Sequence, residues 1–152
     1  MIVPNDMPQV DAQVRLTVYE LFATGEVPTR SEVARRVALT EGDVAASYER
    51  LADAHVLVLD PLTREVWMAM PFSAVPTAFR VVAGDAAWWA NCAWDALGIA
   101  AALHRDVRVE TTCADCRDPM VLTVTHGDLA PATGIAHFAV PAADWWKDIG
   151  FT

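Results

Sequence analysis

The residues of this 152-residue chain that could do chemistry crowd into Trp88-Trp89-Ala90-Asn91-Cys92-Ala93-Trp94-Asp95-Ala96-Leu97. Three tryptophans, a cysteine and a carboxylate share a stretch that is otherwise apolar. Read as helix, the spacing puts Cys92 and Asp95 on one face. A carboxylate beside a thiol raises its pKa, so the pair suits hydrolytic attack poorly. No histidine falls where it could activate the sulfur: His104 lies three helical turns on, and His126 and His137 fall on expected strands. Capture of a soft metal makes different demands. Thiolate is the preferred ligand, binding displaces the thiol proton, and a carboxyl group within reach can take that proton and later deliver it. An Asp95 held in apolar surroundings has a raised pKa, as a proton donor needs. The plain alternatives are a cysteine acting as a small buried hydrophobe and an acid on a helix surface.

Cys113 and Cys116 form a lone CxxC. A zinc ribbon needs a second pair, and a redox dithiol belongs at a helix start in a βαβ unit, whereas this one falls between two strands. Structural thiols or an auxiliary soft-metal site remain, which makes Cys92, Cys113 and Cys116 the candidate metal ligands. The pairs Trp88-Trp89 and Trp145-Trp146 read as core or pocket wall.

The elements that must position these residues follow from periodicity. Residues 1–10, with Pro4 and Pro8, read as a loose arm. Val14, Val18, Leu21 and Phe22 then mark an amphipathic helix from Asp11, stopped by Gly25 and Pro28. A second short helix opens at Thr29-Arg30-Ser31-Glu32, with Thr29 or Ser31 as cap, and Thr40 caps a third carrying Val44, Tyr48 and Leu51. A hairpin of strands 55–59 and 65–70 turns at Asp60-Pro61-Leu62-Thr63. Three helices and a hairpin are the order of a winged helix. Residues 71–77, with two prolines, read as a linker. A strand at 79–82, a central helix from an Asp85 cap to about Leu103, and strands at 107–111, 121–125 and 135–140 complete the pattern. Trp145 to Thr152 reads as the start of a further strand. The expected fold class is α+β: an N-terminal winged-helix module over 1–71, then a central helix packed on a small, mostly antiparallel sheet over 72–152.

Composition narrows the partners. Hydrophobic residues make up 54% of the chain, ample for a core. The net charge of −9 argues against nucleic acid or an anionic membrane surface. Within 1–70, six arginines face eleven acids, a net of −5, and the third helix sets Glu41, Asp43, Glu49 and Asp53 against Arg50 alone. A recognition helix of that sign is repelled by phosphate, so the module reads as structural or dimerising. No apolar run reaches the roughly 18–20 residues of a spanning helix, the N-terminus lacks a signal-peptide pattern, and three cysteines do not make a disulfide framework. The expected location is cytoplasmic.

The segments Phe72–Thr77, Trp88–Leu97 and Thr112–Pro119 resemble the alkylmercury (organomercurial) lyase family, and the likeness extends over most of the chain from about residue 30. The cysteine followed three residues later by aspartate is its specific part. The resemblance implies protonolysis of a carbon–mercury bond, with Cys92 as the thiolate that takes the organomercurial and Asp95 as the proton shuttle. It implies no organic cofactor, Hg(II) as the bound product, and cellular thiols to remove it. Cys113 matches a cysteine thought to support structure in the family, and Cys116 is an addition. The family's second catalytic cysteine belongs just beyond the segment matching Trp145–Thr152. The expectation is a chain cut short there, a substitution by Cys113 or Cys116, or a paralogue with another task. The alternative function is non-catalytic binding of Hg(II) or Cu(I), and a homodimer is left open.

Overall fold

The computed structural model of the chain describes residues 7–150. Of the arm expected over 1–10, residues 1–6 lie outside the described residues, and Gln9 is already helical. Helix α1 (Gln9–Ala23) buries Val14, Val18, Leu21 and Phe22, the stripe its spacing dictates. For α2 (Arg30–Val37) the structure selects Thr29 as the cap, its hydroxyl accepting from the Glu32 N–H at 3.3 Å. Helix α3 (Glu41–Asp53) opens with a reciprocal capping box between Thr40 and Asp43. Tyr48, Leu51, Val33 and Val44 meet in the centre of the three helices.

Strands β1 (Val58–Leu59) and β2 (Val66–Ala69) form the expected hairpin, but β1 is short. His55 sits in the left-handed region (φ 58°), which holds the chain out of extended conformation there. The linker expected at 71–77 is part of the sheet: β3 (Phe72–Ser73) pairs with both β2 and the later strand β5. One eight-stranded antiparallel sheet therefore runs through the chain in the order β1-β2-β3-β5-β4-β6-β7-β8, larger than the small sheet expected. Its core is continuous too, from Val14 in α1 to Val109 in β6.

The main correction concerns the central helix. Residues expected to begin it, Ala86–Ala90, are strand β5, which forms a hairpin with β4 (Phe79–Ala83). Gly84 (φ 62°) and Asp85 make the two-residue turn, with glycine at the position that must take positive φ. Asp85 is thus a turn residue and not a helix cap. Helix α4 is confined to Ala93–Leu103 and packs on β4 and β5. Its Gly98 lies where a Cβ would come within 3.3 Å of Pro71, so a small residue lets helix and turn approach.

Strands β6 (Val107–Thr112) and β7 (Pro119–Thr125) stand as expected. The strand expected at 135–140 is absent. The sheet instead ends at β8 (Asp128–Ala130), paired with β7 through a turn at His126-Gly127, because Pro131 follows and has no N–H for the ladder. Trp145–Lys147 lie in a 3-10 helix (Ala142–Lys147) and not in a strand; Phe151 and Thr152 lie outside the described residues. Trp145 donates from its indole to the Val140 carbonyl at 2.8 Å and packs on Phe138, while the Trp146 ring stacks on His55.

Candidate active site

Strand β5 delivers the reactive sequence. Its buried Trp88 donates an indole hydrogen bond of 2.6 Å to the carbonyl of Phe22, near the end of α1. The Phe22 ring stacks on Phe72 of β3, 5.3 Å between centroids, and the Tyr19 hydroxyl donates to the Met70 carbonyl. Helix α1 therefore braces strand β5 and the turn at Met70.

After Ala90 the chain stays extended through Cys92 (φ −148°, ψ −179°), which is the N-cap of α4. Cys92 occupies the place usually filled by serine. Its sulfur accepts the Asp95 backbone N–H at 3.4 Å, and the Trp94 amide is also directed at it. Cys92 and Asp95 are thus brought together as cap and third helical residue, not by the face of a longer helix. Both are half-buried. Burial is the largest influence on the thiol and pushes its pKa up; the helix-terminal N–H of Asp95 opposes this, and the Asp95 charge adds to it. Burial likewise raises the Asp95 carboxyl above its ordinary value, against hydrogen bonds from Asn91 and from the Cys92 thiol. The pair can share a proton, with the carboxyl better able to carry it than a solvated aspartate.

Asn91 is the residue that sequence reasoning missed. Its side-chain amide donates to Asp95 Oδ2 at 3.1 Å and to the Phe72 carbonyl at 3.2 Å, which fixes the carboxylate against β3. Its Oδ1 is buried and has no hydrogen-bond partner. Its position next to Cys92 was visible; its role depended on knowing that the helix starts after it. Trp94 projects into solvent, 67% exposed, so it is not core; Trp89 is half-buried on β5.

Cys113 and Cys116 lie in the β6–β7 loop, as expected. They sit at the same end of the sheet as Cys92, with β4 between their strand and β5. The structure does not gather the three sulfurs into one site. Among the described residues, no three His, Cys, Asp or Glu side chains form a metal-binding group. The cysteines are all free thiols. The groove beside the exposed face of α4, about 520 Å³ and lined by His104, Arg105, Asp106 and His126, contains none of the candidate residues.

Comparison with known proteins relates this chain to others by fold and by sequence family. No curated protein matches the sequence. The chain is similar in structure to the mercury-bound crystal form of MerB2, with a TM-score of 0.65 and 24% identity over 82% of this chain. It spans 60% of that protein's length. The likeness shows a shared α+β fold. The alkylmercury lyase family model matches residues 72–152, beginning well after residue 30, where the sequence resemblance starts. Those residues make up more than half the chain and include Cys92, Asp95, Cys113 and Cys116, and on that match the chain belongs to the alkylmercury lyase family.

Proposed function

We propose that the chain cleaves a carbon–mercury bond by protonolysis. The observation that carries this reading is a half-buried thiol capping a helix, in hydrogen-bonding contact with a carboxyl group of raised pKa. The Cys92 sulfur bonds the mercury of R–Hg–X. The thiol proton passes to Asp95, and X leaves as the anion. Asp95 then delivers that proton to the carbon as the C–Hg bond breaks, giving R–H and Hg(II) on sulfur. Two small thiols then remove the metal as its bis-thiolate, one of their protons returning to the Cys92 sulfur and the other passing to water. Asn91 holds the carboxyl during both transfers. No organic cofactor enters these steps.

The N-terminal unit has the helix order of a winged helix, used here as a brace. Arg50, the single cation of α3, is engaged with Asp11 and not free for phosphate, which supports a reading without nucleic acid. No helix among the described residues is long and apolar enough to cross a membrane. A second reading, soft-metal binding without turnover, draws on the two further thiols of the β6–β7 loop.

The test is benzene release from phenylmercury by the 152-residue chain in excess small thiol, beside Cys92→Ser. Benzene formed only with Cys92 present is the expected result. Mercury bound through Cys92 with no benzene formed would favour the binding reading.

A further inference from the structure

The two loop thiols have a geometry of their own. Cys113 and Asp118 close the β6–β7 turn, the Cys113 N–H donating to the Asp118 carbonyl at 2.9 Å and the Arg117 N–H to the Cys113 carbonyl at 3.0 Å. Arg117 takes a left-handed conformation (φ 65°), which folds residues 114–117 back over the turn. The Cys113 sulfur consequently faces the N–H groups of Cys116 and Asp115, with the Cys116 thiol beside it. The Cys116 thiol meets Asp118 Oδ2 at 3.3 Å.

The N–H groups of Cys116 and Asp115 hold Cys113 below the ordinary thiol range. The Asp118 N–H also draws Cys116 downward, but the Asp118 carboxylate and the Cys113 sulfur outweigh it, so Cys116 keeps its proton to higher pH. Geometry alone sets the two thiols in one closed turn, with the Asp118 carboxylate within reach of the Cys116 proton. Cys116 is exposed and Cys113 half-exposed, so both can be reached from solvent.

We infer that Cys113 and Cys116 form a two-sulfur chelate for a soft d10 cation such as Hg(II), separate from Cys92. Two sulfurs held in one tight turn suit an ion content with two thiolates, whereas zinc takes four ligands. The step balances without oxidant or reductant. Two S–Hg bonds form as two Hg–Cl bonds break and chloride leaves, both thiol protons pass to water, that of Cys116 by way of Asp118, and the metal keeps its oxidation state. The site stands whether or not Cys92 supports turnover. If it does, the loop lies at the right end of the sheet to receive the released ion by thiol exchange.

The experiment uses the full chain carrying Cys92→Ser, loaded with one equivalent of mercuric chloride and then dialysed against a millimolar monothiol. A chelate resists a monothiol because its second sulfur acts at high effective concentration, an advantage of roughly 100-fold or more. Retained metal and the ultraviolet absorption of mercury bound to two sulfurs are the expected results. Adding Cys116→Ser, a change at an exposed side chain, should cut retention by about that factor. Equal loss of mercury from the single and double variants would overturn the proposal. Benzene release plays no part in this readout, so failure of the lyase reading leaves the outcome here distinct.

Discussion

Asp11 and Asp95 both sit early in a helix and both are withdrawn from water, yet their surroundings push them in opposite directions. Asp11, only 2% exposed, takes hydrogen bonds from Ser47 at 2.7 Å and from two nitrogens of Arg50 at 2.9 and 2.7 Å. The Arg50 guanidinium outweighs burial and holds that carboxyl below its ordinary range. Asp95 has an amide and a thiol as donors, and burial prevails. A carboxylate matched to a cation is a fixed clasp between α1 and α3. One given neutral donors stays poised to take up and release a proton. Neighbours, and not burial alone, separate the two acids.

Substitutions can break this contrast from either side. Asp95→Ala should give the largest effect, a loss of roughly 10²–10⁴-fold in benzene release, while capture of mercury by Cys92 survives. Retained turnover would remove Asp95 from the mechanism. Asp95→Asn should lose turnover equally but keep or raise the melting temperature. A carboxyl whose folded pKa is raised stabilises the fold least once pH climbs through that value, and asparagine removes this cost.

Asp11→Asn should do the reverse. It leaves Arg50 and Ser47 without their charged acceptor and should cost about 1.5–3 kcal/mol in chemical unfolding, with turnover per folded molecule unchanged. The sign with pH also reverses. The clasp contributes fully above the unfolded aspartate value of about 3.9 and is lost as pH falls through the lowered folded value. Acid unfolding of Asp11→Asn should therefore lack that limb; an unaltered acid profile would show that the clasp is not energetically coupled to folding.

The smallest effect belongs to Asn91→Ala. Losing a donor to the carboxylate should move the Asp95 limb of the pH–rate profile upward. A hydrogen bond from a neutral amide to a half-buried carboxylate is worth about 1.5 kcal/mol, at the low end for charged groups, so the plateau rate should change by roughly tenfold. A downward shift would mean that Asn91 does not stabilise the charged form.

The same neighbours explain what the sequence could reveal. The helical stripes of α1 to α3 were legible because each repeats one hydrophobic face, and Thr40 announced the cap of the third; the answering bond from Asp43 emerged only in the structure. Cys92 and Asp95 were legible as a pair because a three-residue spacing also brings an N-cap and the third helical residue together. The start of α4 was not, since Ala86–Ala90 is apolar in either secondary structure. The decisive sign was Gly84-Asp85 between two apolar runs, a hairpin turn that resembles a helix cap when only Asp85 is weighed. β3 was illegible for another reason: two residues between prolines carry no periodicity, and their pairing comes from strands distant in sequence. The Asp11–Arg50 clasp spans 39 residues and leaves no local trace.

The bond from the Trp88 indole to the Phe22 carbonyl has a consequence for how this molecule breathes. Amides open to solvent in cooperative units that follow such tertiary ties and need not respect the order of elements along the chain. Because the indole ties the strand that leads into Cys92 to the last turn of α1, fraying of that turn and exposure of the Cys92 sulfur belong to one opening event. Resistance of the thiol to stray oxidation is then set by how firmly the first helix is folded, some seventy residues away in the chain.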